Sequence, residues 1–191
     1  DNKGVKLLYE LIEFQSVTTD TSDSQKYIHN YLSESNFKTE YKKYDSVQNM
    51  ISTYGEGAPC LAFIGHTDVV PSGDIAQWES DPFELTKKND FLVGRGTSDM
   101  KGGIACFMQA VREFIQENEN FDGSIKLILT GDEEGDAING IRKLVDSNVF
   151  KENELDFCLV GEPSSSDKIG DVIRNGRRGS ITGHLILHGI Q

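Results

Sequence analysis

With 191 residues, 37% of them hydrophobic and 26% charged, the chain is long enough for one α/β domain with a sizeable core and too apolar for a disordered one. A net charge of −12 argues against nucleic acid and anionic membrane as partners, since both call for clustered Lys and Arg. No apolar stretch nears the roughly 18 residues that cross a bilayer, and DNKGVKLLYELIEF lacks the basic start and long apolar run of a signal peptide.

In chain order, Leu7, Leu8, Leu11 and Ile12 recur at helical spacing and predict a helix over 4–16. A second helix is expected over 23–35, with Tyr27, Ile28, Tyr31 and Leu32 on one face and His29 on the solvent side. Strands follow at 38–44 and 49–54, and the turn GEGAP separates them from a strand at 60–64. A long loop over 67–81 carries Trp78, which with Phe83 reads as a loop anchor. KKND between FELT and FLVG is a hairpin turn. A helix over 103–118 places Ile104, Phe107, Met108, Val111 and Ile115 on one stripe. A strand over 124–130, a helix over 138–148 and a strand over 156–161 complete the alternation. Beyond it, IGDVIRNGRRGSITGHLILHGIQ reads as strand, basic turn, strand. His184 and His188 alternate there with Leu185 and Leu187, so in a strand they stand about 13 Å apart and make no metal pair.

This alternation predicts a layered α/β fold: a mostly parallel or mixed sheet with helices on both faces. The tail is expected to enter a more antiparallel element, with a boundary within 174–180. Cys60, Cys106 and Cys158 are scattered in apolar contexts and read as core hydrophobes in a reducing, cytoplasmic compartment. The chain begins without Met and stops inside an alternating pattern, so a piece of a longer polypeptide is expected.

Three apolar runs end abruptly in metal-grade residues: CLAFIG in His66, IKLILTGD in Glu133 and Glu134, and FCLVG in Glu162. FLVGRGTS delivers Asp99. In open α/β sheets the carboxyl ends of the strands share one crevice, so these residues are expected to meet. One imidazole with several carboxylates suits zinc or a similar divalent ion. In His66-Thr-Asp68 the period of two puts both ends on one side, where Asp68 can orient the imidazole. Glu133 and Glu134 point opposite ways if extended, so one can bind metal while the other faces a reacting water. The loop GRGTSDMKGG lacks the GxxxxGK[ST] spacing of a phosphate loop. Arg177-Arg178 is either a solvated basic turn or a clamp on a substrate carboxylate.

GHTDVVPSGD, GRGTSDMKGG, LTGDEEG and GEPSSS, in this order and spacing, resemble the zinc aminoacylase and carboxypeptidase family of co-catalytic metallohydrolases over nearly the whole chain. TGDEEG and NGRRGSITGHLILHGIQ look most like the members that hydrolyse N-succinyl-LL-2,6-diaminopimelate in lysine and diaminopimelate biosynthesis. Sister deacylases acting on acetylornithine or other N-acyl amino acids share the metal ligands, and a non-catalytic metal-binding homologue is the alternative of another class. The resemblance implies that His66 and Glu162 hold one zinc, that Asp99 bridges two, and that Glu134 binds the second. Cobalt can stand in for zinc. It makes Glu133 the general base, Asp68 the partner of His66, the bond after Asp99 cis, and Arg177 with Arg178 substrate-binding. Residues 1–176 would be the N-terminal part of the catalytic domain and 177–191 the start of an inserted domain that makes a homodimer. A last His ligand would lie beyond residue 191, leaving this piece inactive by itself.

Overall fold

The computed structural model describes residues 3–118, 120–176, 183 and 185–189. Five strands form one sheet in the order β1 (Lys38–Tyr44), β2 (Val47–Glu56), β6 (Gly123–Thr130), β3 (Cys60–His66) and β7 (Phe157–Val160). β3 pairs parallel with β6 on one side and β7 on the other, whereas β1–β2 and β2–β6 are antiparallel. β4 (Thr86–Lys88) and β5 (Phe91–Val93) form a separate hairpin about the KKND turn, with Asn89 at φ 54°.

Helices α1 (Lys3–Glu13), α2 (Ser22–Ser33) and α3 (Gly102–Glu117) cover one face, and α4 (Ile141–Asp146) covers the other. Strand periodicity sorts the core. Leu127 and Leu129 of β6 join Leu11, Ile28, Ile104 and Met108 on the three-helix side, while Ile128 joins Ile51, Ala62 and Leu144 on the other. Each fully buried Leu or Ile contributes about 1.5–3 kcal/mol relative to exposure. The predicted α/β layering holds, with the apolar stripe of α1 buried at all four expected positions, Leu7, Leu8, Leu11 and Ile12.

Several expectations need correction. The helix expected over 138–148 begins only at Ile141, because the Asp132 carboxylate accepts the N–H groups of Ala137, Ile138 and Asn139 and holds them in a loop. Among the described residues β7 is the outer strand of the sheet, with Phe157, Leu159 and Val160 at 63%, 52% and 54% exposure. An apolar run alone does not distinguish a covered strand from an uncovered one. Cys60 is buried, but Cys106 and Cys158 are exposed thiols. Among the described residues no strand follows Val160, and most of the basic turn expected there lies outside the described residues. His184 lies outside the described residues, and His188 is exposed. His29 is half-buried and stacks on Tyr41 at 5.9 Å. Trp78 anchors its loop: its Nε1–H donates to the Ser72 carbonyl at 2.9 Å, and the Arg95 guanidinium lies 5.3 Å from its ring.

The parallel register does the positioning. It sets His66 beside Thr130 and Ile64 beside Val160, so β3, β6 and β7 all end at one edge. A kinked turn, Thr97–Lys101, with non-helical backbone at Asp99 (φ −124°, ψ 100°) and Met100, brings Asp99 to the same edge ahead of α3, and the Asp99–Met100 peptide bond is cis as expected. Met100, fully buried, settles over Gly65 and Gly161; a Cβ on Gly65 would lie 2.6 Å from Met100 Cε. A Cβ on Gly161 would strike the Phe63 ring, which stacks on Phe107 at 4.4 Å between centroids. Gly161→Ala is therefore expected to lower unfolding stability by about 1–3 kcal/mol through overpacking. An unchanged urea midpoint would show that the ring yields freely and that this packing argument is wrong.

Candidate metal centre

His66 ends β3 with 1% of its surface exposed. Its Nδ1–H donates to the Asp68 backbone carbonyl at 2.8 Å, with the Asp68 carboxylate 3.5 Å away. That bond fixes the tautomer and turns Nε2 toward the crevice. There Nε2 lies 2.9 Å from Asp99 Oδ1, 3.4 Å from Glu162 Oε1 and 3.9 Å from Glu133 Oε2. Two ligand sets converge, each with its donor atoms within 4.8 Å of one another: His66 with Glu133 and Glu162, and His66 with Asp99 and Glu134. The structure thus brings together all five of the residues expected around the metal, with Glu133 in the first set and Asp99 in the second.

Asp68, fully buried, ties the pieces to one another. Its carboxylate accepts the Thr18 hydroxyl at 2.8 Å, the Glu133 N–H at 3.1 Å and the Glu134 N–H at 3.0 Å. Burial opposes its charge, but these donors and the His66 ring hold its pKa below the ordinary value. Asp68 therefore orients the imidazole from one side and the backbone of both glutamates from the other.

The charges in the crevice are unbalanced. Burial disfavours the imidazolium, yet the Asp68 and Glu162 carboxylates and the Asp68 carbonyl outweigh it and push the His66 pKa up to about 11. Glu133 is raised by burial and by the charges of Glu162, Asp99 and Asp68, which outweigh the opposing pull of His66. Glu134 is raised by burial and by Asp99, against the same pull. Four carboxylates facing one imidazole repel each other unless a cation sits among them, and an N/O donor set of this kind fits a divalent ion. Tetrahedral zinc, at about 2.0–2.2 Å from N and O ligands, spaces its donors roughly 3.4 Å apart. The His66–Glu162 pair already stands at 3.4 Å.

Three contributors escaped the sequence reading. Thr18 lies 50 residues before its partner Asp68, with no local pattern to mark it. Asp132 sits beside the two glutamates, but its carboxylate turns into its own loop. Lys101 is wholly buried, donates from Nζ to the Phe14 carbonyl at 2.7 Å, and is lowered by burial to about 7. It ties the Asp99 turn to the residue after α1. Arg177 and Arg178, expected to bind substrate, lie outside the described residues.

Comparison with known proteins adds a lineage to this geometry. The sequence pattern of peptidase family M20/M25/M40 matches residues 62–177. The chain is 43% identical over 190 residues to succinyl-diaminopimelate desuccinylase of Nitrosomonas eutropha, covering 100% of this chain and 50% of that protein. It is 43% identical over 191 residues to the protein of the same name from Hydrogenovibrio crunogenus, again 50% of its length. The chain thus spans about half the length of the curated relatives it matches. Among solved structures it resembles an M20 family metallo-carboxypeptidase, Sso-CP2, from Sulfolobus solfataricus, with TM-score 0.74 and 21% identity over 86% of this chain and 38% of that one. Human carnosine dipeptidase 1 gives TM-score 0.72 and 20% identity over 83% and 38%. These two likenesses bear on the fold.

A pH-dependent consequence follows from His66, since Nε2 holds either a proton or an ion. The folded imidazole keeps its proton to about 11 against 6.5 for the ordinary group, so without metal its contribution to stability is full below 6.5 and is lost as pH rises through 11. Loading zinc at pH 7 is expected to release about one proton from this ring. Calorimetric heats in buffers of different ionisation enthalpy give that number directly, and zero release would contradict a protonated His66.

Proposed function

The chain belongs to peptidase family M20/M25/M40, and on that footing we propose that the whole protein is a dizinc amide hydrolase acting on N-succinyl-LL-2,6-diaminopimelate. The convergence of Asp99, Glu133, Glu134 and Glu162 on the buried imidazole of His66 is the observation that carries the reading. The substrate rests on the 43% identity to two desuccinylases along the full chain. His66 and Glu162 would hold one zinc, Asp99 would serve both ions, and Glu134 would hold the second with a further ligand from the rest of the protein; cobalt would suit the same donors. A divalent ion bound there polarises the scissile carbonyl and makes a water molecule acidic.

Glu133 is the proton carrier. It accepts a proton from the attacking water as the new C–O bond forms, then gives that proton to the amide nitrogen as the C–N bond breaks, leaving succinate and diaminopimelate. Its raised pKa suits both halves of the task, because a carboxylate held nearer neutrality accepts and returns a proton more readily. Asp68 keeps His66 in the tautomer that offers Nε2 and holds the backbone of Glu133 at a fixed distance from it. Arg177, with Arg178 beside it, binds a substrate carboxylate through its planar donors.

Residues 1–176 form the N-terminal part of the catalytic domain, and 177–191 open an inserted domain that dimerises the protein. Among the described residues no helix is long and apolar enough to cross a membrane, and free Cys60, Cys106 and Cys158 suit a reducing cytoplasm.

In the whole protein, Glu133→Gln is expected to cut turnover by roughly 10²–10⁴-fold with metal content retained. Glu134→Ala is expected to lose metal. If Glu133→Gln shed metal and kept its rate per bound ion, the two roles would be reversed. Hydrolysis of the succinylated substrate should exceed that of acetylornithine; the opposite order would favour a sister deacylase. Arg177→Lys is expected to raise KM for the succinylated substrate without changing metal content, and unaltered kinetics in this variant and in Arg178→Lys would return the pair to a solvated turn.

A further inference from the structure

Glu133 and Glu134 sit in an irregular loop between Thr130 and Ile141, the kind of segment that ordinarily has conformational freedom. This loop is closed on itself by Asp132. The Asp132 side chain, 5% exposed, turns away from both ligand sets and into the loop. Its Oδ1 accepts the Ala137 N–H at 3.3 Å, and its Oδ2 accepts the N–H groups of Ile138 at 3.1 Å and Asn139 at 3.0 Å. Its own N–H donates to Thr130 Oγ1 at 3.2 Å, so the anchor is the end of the central strand β6. Gly135 wraps closely around it: a Cβ there would lie 2.9 Å from Asp132 Oδ1. Fully buried Asn49, from β2, donates to the Asn139 carbonyl at 2.9 Å and fixes the far end of the same loop.

Only an ionised carboxylate offers acceptor oxygens on both branches and no donor. An Asn at this position would turn an NH2 group onto at least one backbone N–H. Asp132 holds the outer limb of the loop while Asp68 holds the inner limb at the Glu133 and Glu134 N–H groups. The two carboxylates thus clamp the glutamates from opposite ends.

We propose that Asp132 is a positioning residue for the hydrolysis, fixing the loop so that Glu133 and Glu134 face His66, Asp99 and Glu162 without itself touching metal or substrate. The inference rests on reading Glu133 as the proton carrier. If its effect on turnover acts through Glu133, its loss lowers kcat only while Glu133 is present.

The test is a double-mutant cycle in the full-length, zinc-loaded protein, with Asp132→Asn, Glu133→Gln and the pair, assayed well below their unfolding temperatures. Asp132→Asn is expected to lower kcat about 10- to 100-fold, the range found for groups that orient metal-site residues, and to leave KM within about twofold. In the Glu133→Gln background the same change is expected to cost less than about twofold more. A merely structural role would leave kcat of the folded variant unchanged or multiply the two losses in full, and either result overturns the proposal. Zinc titration of Asp132→Asn reads the Glu134 side separately: a loss of affinity of about tenfold supports it, and wild-type affinity counts against it. Should Glu133→Gln keep wild-type turnover, the reading of Glu133 fails on that single variant, and the zinc titration alone decides on Asp132. If Asp132→Asn does not fold, Asp132→Ser, which keeps one acceptor oxygen, goes through the same cycle with the same criteria.

Discussion

The crevice depends on one buried carboxylate, Asp68. It lies two residues beyond the end of β3, and the chain folds so that a hydroxyl from the α1–α2 connection and two backbone N–H groups from the loop after β6 all point at it. Burying a carboxylate is costly unless donors satisfy it, and here the donors come from two other parts of the chain, Thr18 and the Glu133–Glu134 loop. Satisfying Asp68 therefore brings three separate segments to one point. Its backbone carbonyl, bonded to His66 Nδ1, then fixes which ring nitrogen faces the crevice.

What Asp68 gathers is electrostatically unfavourable. Asp99, Glu133, Glu134 and Glu162 crowd around a single imidazole, and mutual repulsion with burial raises both Glu133 and Glu134. Such crowding does not stabilise the fold. The double-sided packing of β6, with Leu127 and Leu129 on one face and Ile128 on the other, holds the strand ends in place against it. The frustration is local to the edge where the strands stop, which is where a cation would relieve it.

The same edge shows two ways of stiffening a loop. The Asp99 turn is pressed onto the sheet by apolar packing, with Met100 seated over Gly65 of β3 and Gly161 just past β7. The Glu133–Glu134 loop has little apolar content and is held by polar contacts instead, through Asp68, Asp132 and Asn49. Packing tolerates small shifts of the backbone along the sheet, whereas hydrogen bonds specify direction. The crevice-facing residues on each loop are accordingly held by different forces.

Much of this was legible in the residues alone. The stripe Leu7, Leu8, Leu11 and Ile12, the runs CLAFIG, IKLILT and FCLV, and the metal-grade residues His66, Asp99, Glu133, Glu134 and Glu162 are signals of local periodicity and side-chain chemistry, and each survived in the fold. Tertiary structure alone decided that Thr18 and Asp68 are partners, that Asp132 faces its own loop rather than the crevice, that Lys101 is buried, and that β7 is exposed among the described residues. The reason is range. A helix stripe or strand run is written within a dozen residues, but a hydrogen bond spanning 50 or 65 residues is set by where the sheet places the chain, and the same apolar run serves a buried strand and an exposed one.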